Sequence, residues 1–175
     1  MTRLKDVDYG IILELMKNSK ISDRKLAEKI GVSQPTISRR RAKLEKEGYF
    51  DYTAIPDLKK LGFRIMAFSF SKWTPEAATE LLSEEEFGKQ VQKFFSIYPN
   101  VIFATTGGSG LGGMDSASIS VHKDYDDYAK FVKEIKKEWG KNVSTFESFM
   151  FSLTSGDLIR PITFKYLAEY LNNNR

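Results

Sequence analysis

The sequence predicts an α+β chain in two parts, helical before residue 62 and mixed strand and helix after it. Three observations carry that expectation. Apolar residues recur at helical spacing up to Leu44, and strand-like runs begin at Phe63. Charge divides at the same place: residues 1–62 hold 14 Lys and Arg against 9 Asp and Glu, whereas the remainder holds 13 against 14. Length fits as well, since 175 residues at 41% hydrophobic can bury one ordinary core or two small ones. The expected divisions are a helical domain over residues 1–55, a linker over 56–62, a second domain over 63–154, and a C-terminal extension over 155–175.

Residues 6–19 place Val7, Ile11, Ile12, Leu15 and Met16 at helical spacing, with Asp6 and Asp8 at the end where a helix dipole favours acids. Ser22 then caps a short segment, DRKLAEKI, whose Leu26, Ala27 and Ile30 form a narrow apolar stripe. Gly31 and Val32 make a tight turn. Ser33 suits an N-cap, Pro35 is tolerated in a first turn and Gly48 supplies a stop, so SQPTISRRRAKLEKE over residues 33–47 reads as a third helix. Centring its buried face on Ile37 brings Leu44 to the same side and Pro35, Ser38, Arg39, Ala42, Lys43 and Lys46 roughly opposite. That outer face is small near its start and basic towards its end. Small or polar groups suit base edges at a helix N-terminus, and Lys or Arg further on suits phosphates; the plain alternative is a solvated charged helix. Helix, short helix, glycine turn and capped basic helix form the helix-turn-helix order, and YFDYTAIP is expected to add a small β wing.

At these residues the chain resembles the winged helix-turn-helix domain of the Lrp/AsnC transcription regulators. Asp8, Ile21, Ser22, Leu26, Ala27, Gly31, Ser33, Arg40, Leu44, Glu45, Gly48, Leu61 and Gly62 sit where that family's pattern places similar residues. The resemblance implies a DNA-binding regulator, with double-stranded DNA as partner. Candidate DNA contacts are Ser33, Gln34, Pro35, Thr36, Ser38, Arg39, Arg40, Lys43 and Lys46. Base edges or the groove are assigned to Gln34, Pro35, Ser38 and Arg39; phosphates to Arg40, Lys43 and Lys46, with Arg40 also able to brace the helix. Arg41 departs from the family, which usually carries an aliphatic residue there. It is expected to snorkel outwards or pair with an acid such as Glu45 one turn later.

From Phe63 the period changes. FRIMAFSFSK reads as a strand. Thr74 and Pro75 open a helical stretch carrying Leu81, Leu82, Phe87, Val91, Phe94 and Phe95, with a capping box at Ser83 and Glu86 that implies two helices or a break. Residues 101–106 and 116–122 read as short strands. A second amphipathic helix follows Asp124, with Tyr125, Tyr128, Phe131, Val132, Ile135 and Trp139, and residues 143–153 form a last strand. The order βαββαβ is the ferredoxin-like pattern, an antiparallel sheet with helices on one face, and it resembles the sensing and assembly domain of the same family. Residues 161–171 suggest a short helix that packs on its own chain or on a neighbouring subunit. Both faces of the last strand are apolar, with Phe149, Phe151 and Leu153 on one and Phe146 and Met150 on the other. The helix-free face therefore needs a cover, and a homodimer or higher even-numbered assembly is expected.

The connection TTGGSGLGGMD is a candidate site for an effector such as an amino acid. Amides of Gly107, Gly108, Ser109, Gly110, Gly112 and Gly113 would take a carboxylate and Asp115 an amino group. In the family, small molecules bind between subunits near this turn, although here the turn is longer than usual. The competing reading is a mobile hairpin tip. It is not a phosphate-binding loop, because no Gly-Lys-Ser/Thr follows.

No catalytic or metal-binding set and no cofactor is expected. Cysteine is absent and His122 is the only histidine, expected at a strand end, exposed or hydrogen-bonded. Glu84, Glu85 and Glu86 are consecutive, and helical neighbours lie about 100° apart, so they diverge rather than converge on a cation. The absence of cysteine, of a membrane-length apolar run and of a signal-peptide core predicts a cytoplasmic protein. Two readings rival operator recognition: a DNA-coating architectural protein with weak sequence preference, and a sirohaem decarboxylase resembling this family, against which stand the intact basic helix and the scarcity of histidine.

Overall fold

A computed structural model describes residues 4–80, 84–108, 111–155 and 162–173. The chain divides into two compact units, one containing the segment up to Ile55 together with the C-terminal helix, the other running from Pro56 past the last strand.

In the first unit, α1 (Asp6–Lys17), α2 (Asp23–Ile30) and α3 (Gln34–Lys46) surround a core of Ile11, Leu15, Ile21, Leu26, Ala27, Ile37 and Leu44. Each start has its own chemistry. Asp8 accepts the Lys5 amide at 2.9 Å, filling one of the donors a helix start leaves open, and Ser22 accepts the Lys25 amide at 3.3 Å. Ser33 has the extended backbone of an N-cap, yet its hydroxyl bonds the Thr36 hydroxyl at 2.9 Å instead of a helix amide. α2 ends on Gly31 at φ 78°, a left-handed conformation that glycine adopts without strain.

The expected β wing does not form. Residues 50–56 form neither helix nor strand and pair with no strand among the described residues. One run without a neighbour to complete a ladder is held by side chains instead: Phe50 packs on the helical core and the Tyr52 hydroxyl accepts Arg41 Nε at 2.7 Å. The C-terminal helix α7 (Lys165–Asn173) packs against α1, with Ala168 fully buried. Leu13, which lies off the main apolar stripe of α1, is buried as well.

In the second unit, β1 (Ile65–Trp73), β2 (Val101–Thr105), β3 (Ser116–His122) and β4 (Val143–Ser152) form one antiparallel sheet in the order β2-β3-β1-β4, the arrangement of a ferredoxin-like βαββαβ chain. Between strands run α4 (Pro75–Glu80), α5 (Glu84–Ile97) and α6 (Tyr125–Trp139). The expectation of two helices or a break at the Ser83 capping box falls on residues 81–83, which lie outside the described residues.

One sheet face meets α5 and α6 through Ala67, Phe94, Tyr98, Val101, Phe131, Ile135 and Trp139. The other carries Met66, Phe68, Ile119, Val121, Phe151 and Leu153, and the pairs Phe68 with Phe149 and Met66 with Phe151 place these two of the three β4 phenylalanines there, with Phe146 on the helix side, as the alternation predicts. Residues 58–62 form a hydrogen-bonded turn rather than a slack connection: the Phe63 amide donates to the Leu58 carbonyl at 3.0 Å, and both side chains pack on that outer cluster. Among the described residues no helix is long and apolar enough to cross a membrane.

Candidate nucleic-acid interface

The basic residues of α3 separate into two groups. Arg40 and Arg41 turn inward. Arg40 Nη1 bonds Asp8 Oδ1 at 2.8 Å. Burial alone would raise the Asp8 pKa; the Lys5 amide and the Arg40 guanidinium outweigh it and hold the carboxyl below the usual range. Arg41 Nη1 bonds Asp23 Oδ1 at 2.8 Å and the Ile21 carbonyl at 3.2 Å, and its guanidinium lies 5.3 Å from the Tyr52 ring centre. The expected partner was Glu45; the structure pairs Arg41 with Asp23 instead, because the start of α2 faces this flank of α3 whereas Glu45 points to solvent.

Asp23 is also the acceptor for Ser38, whose Oγ donates at 2.6 Å. The Ser38 bond, and behind it Arg41, keeps the Asp23 carboxyl below its usual pKa despite desolvation. The hydroxyl expected to read a base edge is therefore engaged within the fold, and Arg40, expected at a phosphate, braces α3 against α1. Sequence spacing could not have supplied these partners, which come from other helices.

The second group stays outward. Gln34, Pro35, Arg39, Lys43 and Lys46 are exposed, as are Ser33 and Ala42. Lys43 has a loose partner in Glu47 at 3.6 Å. Thr36 is half-buried and tied to Ser33. One helix thus offers an amide and a small residue at its start, a guanidinium next, and two ammonium groups further along.

In the described part of the loop after β2, Asp115 and Gly108 of the candidate effector site are engaged within the chain. Asp115 is committed to closing the hairpin: its carboxylate accepts the Trp73 amide at 3.2 Å and the Ser116 hydroxyl at 3.1 Å, and its own carbonyl takes the Gly108 amide at 2.8 Å. Gly107, Gly112 and Gly113 have positive φ, which serves the turn, while Ser109 and Gly110 lie outside the described residues. A carboxylate already holding these donors is poorly placed to receive an amino group.

His122 closes β3 and is completely buried. Nε2 lies 2.9 Å from Ser120 Oγ, and Nδ1 faces Asn100 at 3.4 Å and Asp127 at 3.8 Å. Desolvation dominates and lowers its pKa in spite of Asp127, so it is a neutral core residue at pH 7. Among the described residues no cluster of three His, Cys, Asp or Glu is placed to hold a metal ion.

Residues 4–50 match a family described as winged helix-turn-helix DNA-binding. An HTH-type transcriptional regulator of Pyrococcus abyssi is 31% identical over 106 residues, covering 58% of this chain and 72% of that protein. The HTH-type transcriptional regulator LrpC of Bacillus subtilis is 33% identical over 102 residues, covering 58% of this chain and 64% of LrpC. Among solved structures, a transcriptional regulator of Neisseria meningitidis in complex with L-methionine superposes with a TM-score of 0.69 at 20% identity, over 94% of this chain and 99% of that one. AsnC of Escherichia coli gives 0.67 at 19% identity, over 91% and 98%. At these identities the two superpositions speak to the fold.

Proposed function

This chain belongs to the Lrp/AsnC family of HTH-type DNA-binding transcriptional regulators, and on that premise we propose that it works as a homodimer placing two copies of α3 in successive major grooves of an operator. The observation that carries this reading is the sorting of basic residues on α3. Arg40 and Arg41 are ion-paired inside the domain, which leaves Gln34, Pro35 and Arg39 at the leading end to meet base edges and Lys43 and Lys46 to meet phosphates. Ser33 and Thr36 flank that end. Ser38 and Arg40 hold the helix at its docking angle.

The dimer is proposed through the sheet face that α5 and α6 leave uncovered. Phe149 there is 66% exposed, and Phe68 stacks with Phe151 at 5.6 Å, so a two-fold partner sheet would bury a continuous aromatic surface. A small-molecule effector, an amino acid among the candidates, would act by binding one spacing of the two reading units better than another. The site of action is the cytoplasm.

Titration of operator and scrambled duplexes at several salt concentrations tests the division of labour. Arg39→Ala should cut the preference for operator over scrambled DNA by about 1–3 kcal/mol. Lys46→Ala should weaken both duplexes alike and reduce the salt slope by about one. Unchanged binding in both variants means that α3 is not the docking helix. Equal affinity of the unaltered protein for all duplexes indicates a DNA-coating protein instead.

A further inference from the structure

The sheet unit contains a cavity of about 320 Å³ between its helix-facing side and α5 and α6. That is within the size range of small-molecule sites, roughly 300–1,000 Å³. Its origin is visible in the strand register. Val101 lies opposite Ser120 but Phe103 lies opposite Ile119, so β2 carries one extra residue, a bulge at Ile102. Regular pairing would set Phe103 opposite Ser118, on the helix side. The bulge sends Phe103 to the outer face, where it is 51% exposed, and sets Ala104 opposite Ser118 in its stead. A phenyl ring is thereby removed from the cavity wall. The sheet floor deepens the space further, because Ser71, Ser116 and Ser118 stand where a core strand usually carries larger apolar side chains.

The lining has a definite chemistry. Trp73, Phe94, Trp139 and Phe146 supply aromatic walls. The Ser71 and Ser118 hydroxyls and the Gln90 carboxamide face the space without hydrogen-bond partners among the described residues, unlike Ser69, which bonds Ser148 at 2.8 Å. None of the described lining residues is charged. Exposed Ala104, Thr105 and Thr106 form its open mouth; a carboxylate or ammonium group seated deeper, among the aromatic walls, would lose water without gaining a counter-charge, and an anion would also meet Asp115 behind Ser116. Neutral donors and acceptors among aromatic rings favour a flat, uncharged guest.

We infer that this intrasubunit cavity binds a small uncharged aromatic molecule bearing an amide or hydroxyl group, and that such a compound is a ligand of the regulator at this site. The inference rests on the regulator reading and specifies its ligand. Both tryptophans of the chain line the cavity, so intrinsic fluorescence excited at the red edge of indole absorption reports occupancy. Three probes with one ring and different charge separate the alternatives: phenylacetamide, phenylacetate and L-phenylalanine, titrated into the full chain.

Phenylacetamide should give a saturable change, with the other two at least tenfold weaker. Ala104→Phe, on an edge strand, restores a ring to the wall and should abolish the response while circular dichroism stays unchanged. Ser118→Ala, a smaller change that decides the matter if the first variant misfolds, should weaken phenylacetamide several-fold. No saturable response to phenylacetamide, equal or tighter binding of L-phenylalanine, or a response surviving intact in folded Ala104→Phe or in Ser118→Ala overturns the inference. Duplex binding, followed in parallel by fluorescence anisotropy of labelled DNA, keeps the two readings apart: loss of probe binding with DNA binding intact rejects the cavity ligand alone, and the converse rejects the regulator reading alone.

Discussion

Asp23 does two jobs with one carboxylate. It fixes Ser38 in the first half of α3 and Arg41 in the second, so the angle at which α3 leaves the domain depends on a residue of another helix. Removing either member of the Asp23–Arg41 pair strands a partly buried charge; Asp23→Ala and Arg41→Ala should each lower the urea-unfolding stability of the domain by about 2 kcal/mol, with the double variant losing less than the sum. Additive losses would mean that the two groups do not interact. Acid sensitivity follows from the same carboxylates. Asp8 and Asp23 have folded pKa values below their ordinary value of 3.8, so their contribution is present above that value. As pH falls the unfolded chain takes up protons first, and the stabilisation disappears as pH drops through the folded pKa. An Asp8→Asn, Asp23→Asn variant should therefore show a flatter loss of stability below pH 4 than the unaltered chain, measured by thermal melts across the acid range.

At the scale of elements, β3 ends on a histidine that folding keeps neutral. The folded pKa of His122 is depressed by burial, so between that value and the ordinary 6.5 the unfolded chain binds the extra proton. Stability of the sheet unit should fall as pH is lowered through about 6.5, and His122→Gln should flatten that slope even if it lowers stability at pH 7; an unaltered slope would place the titration elsewhere. The three helices and the βαββαβ order were legible because each buries a face whose period is written in one stretch of chain. The fate of residues 50–56 was not, since β propensity in Tyr49, Phe50 and Thr53 says nothing about whether a partner strand exists. The bulge was equally silent: Ile102 resembles any other strand residue, and only pairing with β3 reveals that it is surplus. In α3 the sequence separated the buried stripe from the outer face correctly for Ile37, Leu44, Arg39, Lys43 and Lys46, yet it placed Ser38 outward because the acid that draws it in is fifteen residues away.

For the whole molecule, the uncovered sheet face and the docking of α7 are the features to probe. Phe149→Lys puts a charge into the proposed two-fold contact and should shift the sedimentation profile from dimer towards monomer without loss of secondary structure; a persistent dimer would assign assembly to another surface. Removing residues 162–173 should lower the melting temperature of the helix-turn-helix unit, because the face of α1 that packs on α7 would lose its cover. That contact also orders events in time. α7 follows the entire sheet unit in the chain, so a ribosome must make more than a hundred further residues after α3 before the reading unit can close its packing. Until then α1 shows an uncovered apolar side, and the competence of the DNA reader becomes a report that the unit encoded after it has been made.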